Sequence, residues 1–296
     1  MRETGYRCGT ITIIGLPNAG KSTLMNALIG QKVSITSRRP QTTRQRITGI
    51  LTTQRAQLIF LDTPGFQVER PSMLHRAMTR SIAHSLHEAD VVLWLIDVNA
   101  PTDASTALPK SIPDGKPLVV AINKTDQLRN KVHLLSQLQC VQERHHPAAI
   151  VPISARTGYQ LDILQEALIR ELPEREPIYD ENELTTVASR VLAAEMVREK
   201  LFRTMGAEIP YAVAVETEHF EEKNGLFSIR ATILVDKESQ KAIVIGSRGA
   251  KLKTIGTQAR QDLEKLLGGK VYLELWVKVR RGWSDNSAAL KRIGMQ

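Results

Sequence analysis

The chain has 296 residues, long for a single hydrophobic core, and its hydrophobic fraction of 42% is ample for two. Two cysteines, Cys8 and Cys140, exclude a disulfide framework and suit a reducing cytoplasm. No stretch approaches the ~20 apolar residues of a membrane span, and MRETGYRCGT lacks an apolar signal segment, so a cytoplasmic location is expected. The formal charge of +9 is uneven: residues 241–296 carry 12 Lys and Arg against 4 Asp and Glu, which fits a polyanionic partner or simply a solvated basic surface.

In chain order, the apolar runs at 10–14, 58–61, 91–96, 118–122 and 149–153 are nearly continuous, the pattern of strands buried on both faces. Segments 72–89, 132–144 and 161–172 between them mix apolar and polar residues at helical spacing. This half therefore reads as a doubly wound α/β domain. PEREPIYD, at 173–180, then punctuates the chain. Beyond it comes a helix over 187–205, then alternating strands at 211–220 and 226–235 joined around EEKNG. A short helix, a longer helix over 250–267 and a strand at 270–279 follow. The expected domains are 1–172, a linker at 173–184, and a smaller α+β domain of order αββααβ at 185–296.

GLPNAGKST, residues 15–23, has the spacing GxxxxGK[ST] between a strand and a helix. Glycine there lets the backbone wrap a phosphate, with successive N–H groups and the helix N-terminus aimed at it. Gly15, Asn18, Ala19, Gly20, Lys21, Ser22 and Thr23 are thus nucleotide-binding candidates. Lys21 reaches the β/γ-phosphates, and the Ser22 hydroxyl is placed to ligate Mg²⁺.

Asn123, Lys124, Thr125 and Asp126 follow the strand at 118–122. A carboxylate at Asp126 accepts both the ring N–H and the exocyclic amine of guanine, which adenine does not offer in that arrangement. Ser154 and Ala155, after the strand at 149–153, are expected to give a backbone N–H to the guanine oxygen. Asp62-Thr63-Pro64-Gly65 puts a carboxylate near the metal and the Gly65 amide near the γ-phosphate. Upstream, RRPQTTRQR is too polar for core, and one of its two threonines, Thr42 or by preference Thr43, is the expected Mg²⁺ ligand of the triphosphate state.

With GLPNAGKS, TT, DTPG, NKTD and SA in order, the sequence resembles the translation-factor class of P-loop GTPases over about 160 residues. The resemblance implies GTP and GDP as ligands, Mg²⁺ as cofactor, GTP hydrolysis as the activity, and Lys21, Thr43 and Gly65 as its catalytic residues. Where Ras-like members carry a water-orienting glutamine after the DxxG glycine, this chain has Phe66, so intrinsic hydrolysis is expected to be slow.

A second glycine loop, Gly246-Ser247-Arg248-Gly249 in IVIGSRGAKLKTIG, lacks the GK[ST] ending. It resembles the GXXG loop of KH domains, which clamps a single-stranded nucleic-acid backbone, and the αββααβ order resembles the prokaryotic, type II form. Lys251 and Lys253 with Arg248 match that family's RNA-facing edge. Bacterial GTPases that join these two domains are similar over nearly the whole length. That likeness implies single-stranded RNA near the 3′ end of small-subunit ribosomal RNA, a role in small ribosomal subunit assembly, and peripheral contact with the cell membrane; a monomer is expected, although no motif specifies the oligomeric state. Charge alone leaves a different class open, a GTP-controlled adaptor docking a protein or an anionic membrane surface. A small-molecule kinase is disfavoured by NKTD.

Overall fold

The computed structural model describes residues 5–37, 42–65, 73–100, 112–128, 131–205 and 213–286. The chain divides into two compact units. One comprises Met1–Ser34, Thr43–Val68 and Thr79–Thr186; the other comprises Ile35–Thr42, Glu69–Met78 and Val187–Gln296.

The first unit is built on a six-stranded sheet of β1 (Arg7–Ile14), β2 (Ile47–Thr52), β3 (Ala56–Asp62), β4 (Val91–Asp97), β5 (Leu118–Asn123) and β6 (Ala149–Pro152). The strand order is β2-β3-β1-β4-β5-β6, parallel throughout except for β2, which runs antiparallel to β3 at the edge. The central strands are buried on both faces, β3 along its full length, which is why their sequences are apolar runs without alternation. Helices α1 (Lys21–Ile29), α2 (Met73–Glu88), α3 (Lys131–His145) and α4 (Leu161–Glu171) belong to this half of the sequence, the first residues of α2 counting in the second unit. The edge strand β2 was not expected: ITGILT is short, half-buried and carries a glycine, so neither period declares it.

The segment PEREPIYD lies along the first unit rather than hanging free. Cys8 N donates to Pro173 O, Arg175 N donates to Tyr6 O, and the Ile178 and Tyr179 amides donate to Gln57 Oε1. Gln57 is a fully buried glutamine inside β3, and these bonds satisfy its amide oxygen.

The second unit has the order α5 (Ser189–Thr204), β7 (Val213–Lys223), β8 (Leu226–Val235), α6 (Glu238–Ile245), α7 (Ala250–Leu267) and β9 (Lys270–Val279). The sheet order is β7-β8-β9, with β7 and β8 antiparallel and β8 and β9 parallel. Lys223 pairs with Leu226 across a two-residue turn, Asn224-Gly225, both at positive φ; this is the backbone that Asn-Gly favours in tight hairpins. Val213, Val215, Ile233 and Val277 from one sheet face pack with Val197 and Leu201 of α5 and with Ile255 and Ala259 of α7. Helix α5 also buries Glu195, Arg198, Glu199 and Lys200, and each is paired: Glu195 with Arg198, Glu199 with Arg203, Lys200 with Asp262. Among the described residues, no helix is long and apolar enough to cross a membrane.

Candidate functional site: a nucleotide cradle and a separate glycine loop

In the first unit every motif falls at the carboxyl end of the parallel strands, where doubly wound sheets bind ligands. Gly15 follows β1, Asp62 ends β3, Asp97 ends β4, Asn123 ends β5, and Ser154 follows β6. Residues 15–20 turn into α1, whose N-cap, Gly20, sits at φ 104 and supplies no side-chain cap, so the first amides of the helix point outward for an anion. A Cβ at Gly20 would lie 2.4 Å from Asn123 Nδ2, and one at Gly65 would lie 2.9 Å from Pro17 backbone atoms, so both loops close on each other only with glycine.

Lys21 is buried beneath the loop it belongs to. Its Nζ donates to Gly15 O at 3.0 Å and to Leu16 O at 3.1 Å, which holds the ammonium at the floor of the cradle. Burial lowers its pKa from 10.5 to about 8, although the nearby Asp62 charge works in the opposite direction. Asn18 is exposed at positive φ, Ala19 is buried, and Ser22 and Thr23 stand in the first turn of α1.

Three hydroxyls converge on one carboxylate oxygen. Ser22 Oγ donates to Asp62 Oδ2 at 2.6 Å, Ser34 Oγ at 2.9 Å and Thr43 Oγ1 at 3.3 Å; Ser22 and Thr43 are 2.8 Å apart. Asp62 Oδ1 is buried without a hydrogen-bond partner. Burial raises the Asp62 pKa against the opposing pull of these donors and Lys21. An unpartnered carboxylate oxygen beside two hydroxyls is an oxygen-only donor set that fits a small hard cation. Among the described residues, no group of three or more His, Cys, Asp or Glu side chains is placed to hold a metal. Phe66 lies outside the described residues.

The base end is held by side chains that bond one another. Asn123 Nδ2 donates to Ala19 O at 2.8 Å and Asn123 Oδ1 accepts from Ala155 N at 2.9 Å, so this residue staples the phosphate loop to the loop after β6. Asp126 Oδ1 accepts from Ser154 Oγ at 2.6 Å, and Oδ2 pairs with Arg156. The Ser154 bond, then Arg156, hold the Asp126 carboxyl below its ordinary pKa. Lys124, at positive φ, donates from Nζ to Asp97 Oδ2 at 2.6 Å. Ser34, Asp97 and Arg156 escaped the sequence reading because none lies inside a spaced motif. Arg156 alone had a local signal, adjacency to Ser154-Ala155.

In the second unit, Gly246-Ser247-Arg248-Gly249 joins α6 to α7. Gly246, Arg248 and Gly249 have φ of 73, 50 and 78, so the connection reverses direction within four residues. Ser247 and Arg248 are exposed, and the first turn of α7 contains no acid and receives no side-chain cap. The Lys251 stem packs beneath Gly246, where a Cβ would lie 2.8 Å from Lys251 Cγ. Lys251 and Lys253 are both exposed, but two residues along a helix is about 200° of rotation, so only Lys251 shares the loop's side of α7. Tyr272 and Trp276, exposed on the edge strand β9, stand in no spaced motif and carry no local signal of a role.

The fold and site define a P-loop GTPase joined to a KH domain. A family model for 50S ribosome-binding GTPases matches residues 10–124, and one for KH domains matches residues 208–284. GTPase Era of Nitrosomonas eutropha is 47% identical over 296 residues, covering 100% of both chains. GTPase Era of Pseudomonas entomophila is 44% identical, covering 99% of this chain and 98% of that one. A solved Aquifex aeolicus Era variant bound to GDP and AlF4⁻ superposes with a TM-score of 0.92 at 39% identity, covering 98% of this chain and 99% of that chain. Era in complex with MgGDPNP and nucleotides 1506–1542 of 16S ribosomal RNA gives the same TM-score, identity and coverage. The chain belongs to the GTPase Era family, and it is a GTPase.

Proposed function

We propose that the protein is a GTP-hydrolysing switch that binds single-stranded RNA near the 3′ end of small-subunit ribosomal RNA and acts in assembly of the small ribosomal subunit. One observation carries the RNA half: the Gly246–Gly249 loop opens a helix with no side-chain cap and no acid in its first turn, and it exposes the Arg248 and Lys251 side chains where a phosphate backbone would approach. The solved relative holding a 16S ribosomal RNA fragment supports the choice of RNA and of subunit.

In this reading Gly15, Asn18, Ala19, Gly20, Lys21, Ser22 and Thr23 hold the phosphates, and Asp126, with Lys124, Ser154 and Ala155 around it, selects guanine. Asn123 acts by joining the two loops. Ser22, Thr43 and Asp62 hold Mg²⁺, which in bound form offsets the charge gathering on the β- and γ-phosphates. Lys21 contributes a fixed cation at those phosphates, and the Gly65 amide and Thr43 orient the γ-phosphate and the attacking water. The RNA edge is Gly246, Ser247, Arg248, Gly249 and Lys251, with Lys253 as an outlying phosphate contact. We extend the reading to domains at 1–172 and 185–296, a monomer, and a cytoplasmic location suited to two free cysteines, with peripheral contact at the membrane's inner face.

Ultraviolet crosslinking of the purified protein in a cell lysate, followed by sequencing of bound RNA, tests the proposal. Enrichment of the 3′ end of small-subunit ribosomal RNA is expected. Recovery of protein partners without RNA would overturn it in favour of an adaptor.

A further inference from the structure

Strand β9 turns two different faces outward from the second unit's sheet. Val271, Leu273, Leu275, Val277 and Val279 pack on the helix side. The alternate residues Lys270, Tyr272, Glu274, Trp276 and Lys278 occupy the opposite face, at the sheet's edge. At the far end that face is covered, with Leu74, Met78 and Trp283 packed on Ala214 and Leu234. Nearer the start of β9 it is open, and there Tyr272 is 59% and Trp276 52% exposed.

The neighbours leave both rings accessible. Across in β8, Tyr272 faces Ser228 and Trp276 faces Thr232, both small. Between the rings, Glu274 is neutralised by Arg230 at 2.9 Å, and beyond them Glu218 is neutralised by Lys278 at 2.8 Å. Lys270 and Arg280, at either end of the strand, have no ion-pair partner among the described residues. Along β9 itself the charge is therefore net positive, and its two π-faces, about 13 Å apart at ~3.3 Å for each of four strand residues, lie between the cations, while Glu216 and Glu221 of β7 share the face two strands away. Aromatic rings interleaved with cations are the arrangement that takes unpaired bases by stacking while the cations follow the phosphates.

We propose that Tyr272 and Trp276 form a stacking platform for bases of single-stranded RNA, on the sheet face opposite the helices and separate from the Gly246–Gly249 loop. The inference rests on the RNA-binding reading of this unit and adds a second contact to it. Because every base has a π-face, the platform is tolerant of sequence. It lengthens the stretch of RNA held without narrowing which RNA is held. A protein partner is disfavoured by the unpaired cations at both ends of the strip.

The chain has three tryptophans, and Trp94 and Trp283 are buried, at 3% and 1% exposure, so an RNA-dependent change in tryptophan emission reports on Trp276. The probe is a single-stranded RNA of about 12 nucleotides, within the range that such surfaces cover. Titration is expected to quench emission, and Trp276→Phe to abolish the signal while keeping most of the affinity. Trp276→Ala is expected to weaken binding roughly 5- to 150-fold at constant salt and Tyr272→Ala by somewhat less, with GTP hydrolysis by the free protein unchanged. Gly249→Asp serves as the reference. If it loses RNA while Trp276→Ala binds like the parent and emission stays unquenched, the platform is overturned and the loop reading stands. A parent protein that binds no RNA overturns both.

Discussion

Ser34 donates a 2.9 Å hydrogen bond to Asp62 Oδ2 from 28 residues away in sequence. Asn26 fixes that serine: its Oδ1 accepts from the Val33 and Ser34 amides, and its Nδ2 donates to Ser34 O at 2.7 Å. Asp62 is thereby held with its second oxygen free. Removing the hydroxyl in Ser34→Ala should raise the Mg²⁺ concentration needed to slow nucleotide dissociation by roughly tenfold, as loss of a supporting contact to a metal ligand does. Ser34→Thr should restore it. Fluorescent-nucleotide dissociation measured across a Mg²⁺ series reads this directly, and an unshifted midpoint in the alanine variant would remove Ser34 from any role at the metal.

At the base end, Asp126→Asn should exchange guanine for xanthine. The amide donates to xanthine's 2-carbonyl, where the carboxylate would be repelled. Hydrogen bonds to a charged group are worth about 1.5–3 kcal/mol, so GTP affinity should fall roughly 10- to 150-fold while xanthosine triphosphate gains. Competition binding decides it, and an unchanged guanine preference would take Asp126 out of the pocket.

The buried Lys21 gives nucleotide binding a pH dependence of definite sign. In the free protein its pKa is lowered to about 8, and a bound phosphate raises it. Above pH about 8, binding must therefore take up a proton, and log K should decline with rising pH. The folding term has the opposite slope. The folded protein holds fewer protons than the unfolded chain between about 8 and 10.5, so this lysine's cost to stability is relieved as pH rises through that window. Calorimetry at pH about 9 in two buffers of different ionisation enthalpy counts the protons. Zero uptake would mean that Lys21 does not meet the phosphates.

At the second loop, Gly249→Asp should abolish RNA binding and leave GDP affinity intact. A Cβ there meets nothing within 4 Å, and aspartate tolerates the left-handed φ of 78 better than most residues, so the variant should fold. What it adds is a negative charge where a phosphate must approach. Lys251→Ala should act more mildly, lowering the magnitude of the log K against log salt slope by roughly 0.7, one phosphate contact on a single strand. Filter binding over a salt series, with circular dichroism as the folding control, separates the two. RNA bound by folded Gly249→Asp as tightly as by the parent would return the loop to a plain helix connection.

Much of this was legible in the chain. GLPNAGKST, DTPG and NKTD announce themselves because a phosphate loop and a strand-end carboxylate are local devices, built from backbone conformations that consecutive residues impose. Strands β8 and β9 and helix α7 were equally plain, since alternation along β9 and the first part of β8 and helical spacing along α7 are local patterns. The pairing of Asn224 with Gly225 fixed the hairpin for the same local reason.

Other features exist only once distant segments meet. Edge strand β2 is made by its pairing with β3, because ITGILT has too few apolar residues to declare a face. Asn123 reads in sequence as part of a base pocket, yet its side chain joins Ala19 to Ala155, two partners that no spacing could have named. PEREPIYD reads as a spacer, and it is the buried Gln57 amide that gives it a place on the first unit. Tyr272 and Trp276 look like any strand aromatics until the sheet decides which side of β9 is covered. The sequence determined the ligand classes, since they depend on groups a few residues apart. Tertiary structure decided which side chains orient those groups, because a buried donor or acceptor takes whatever partner the packed fold brings to it.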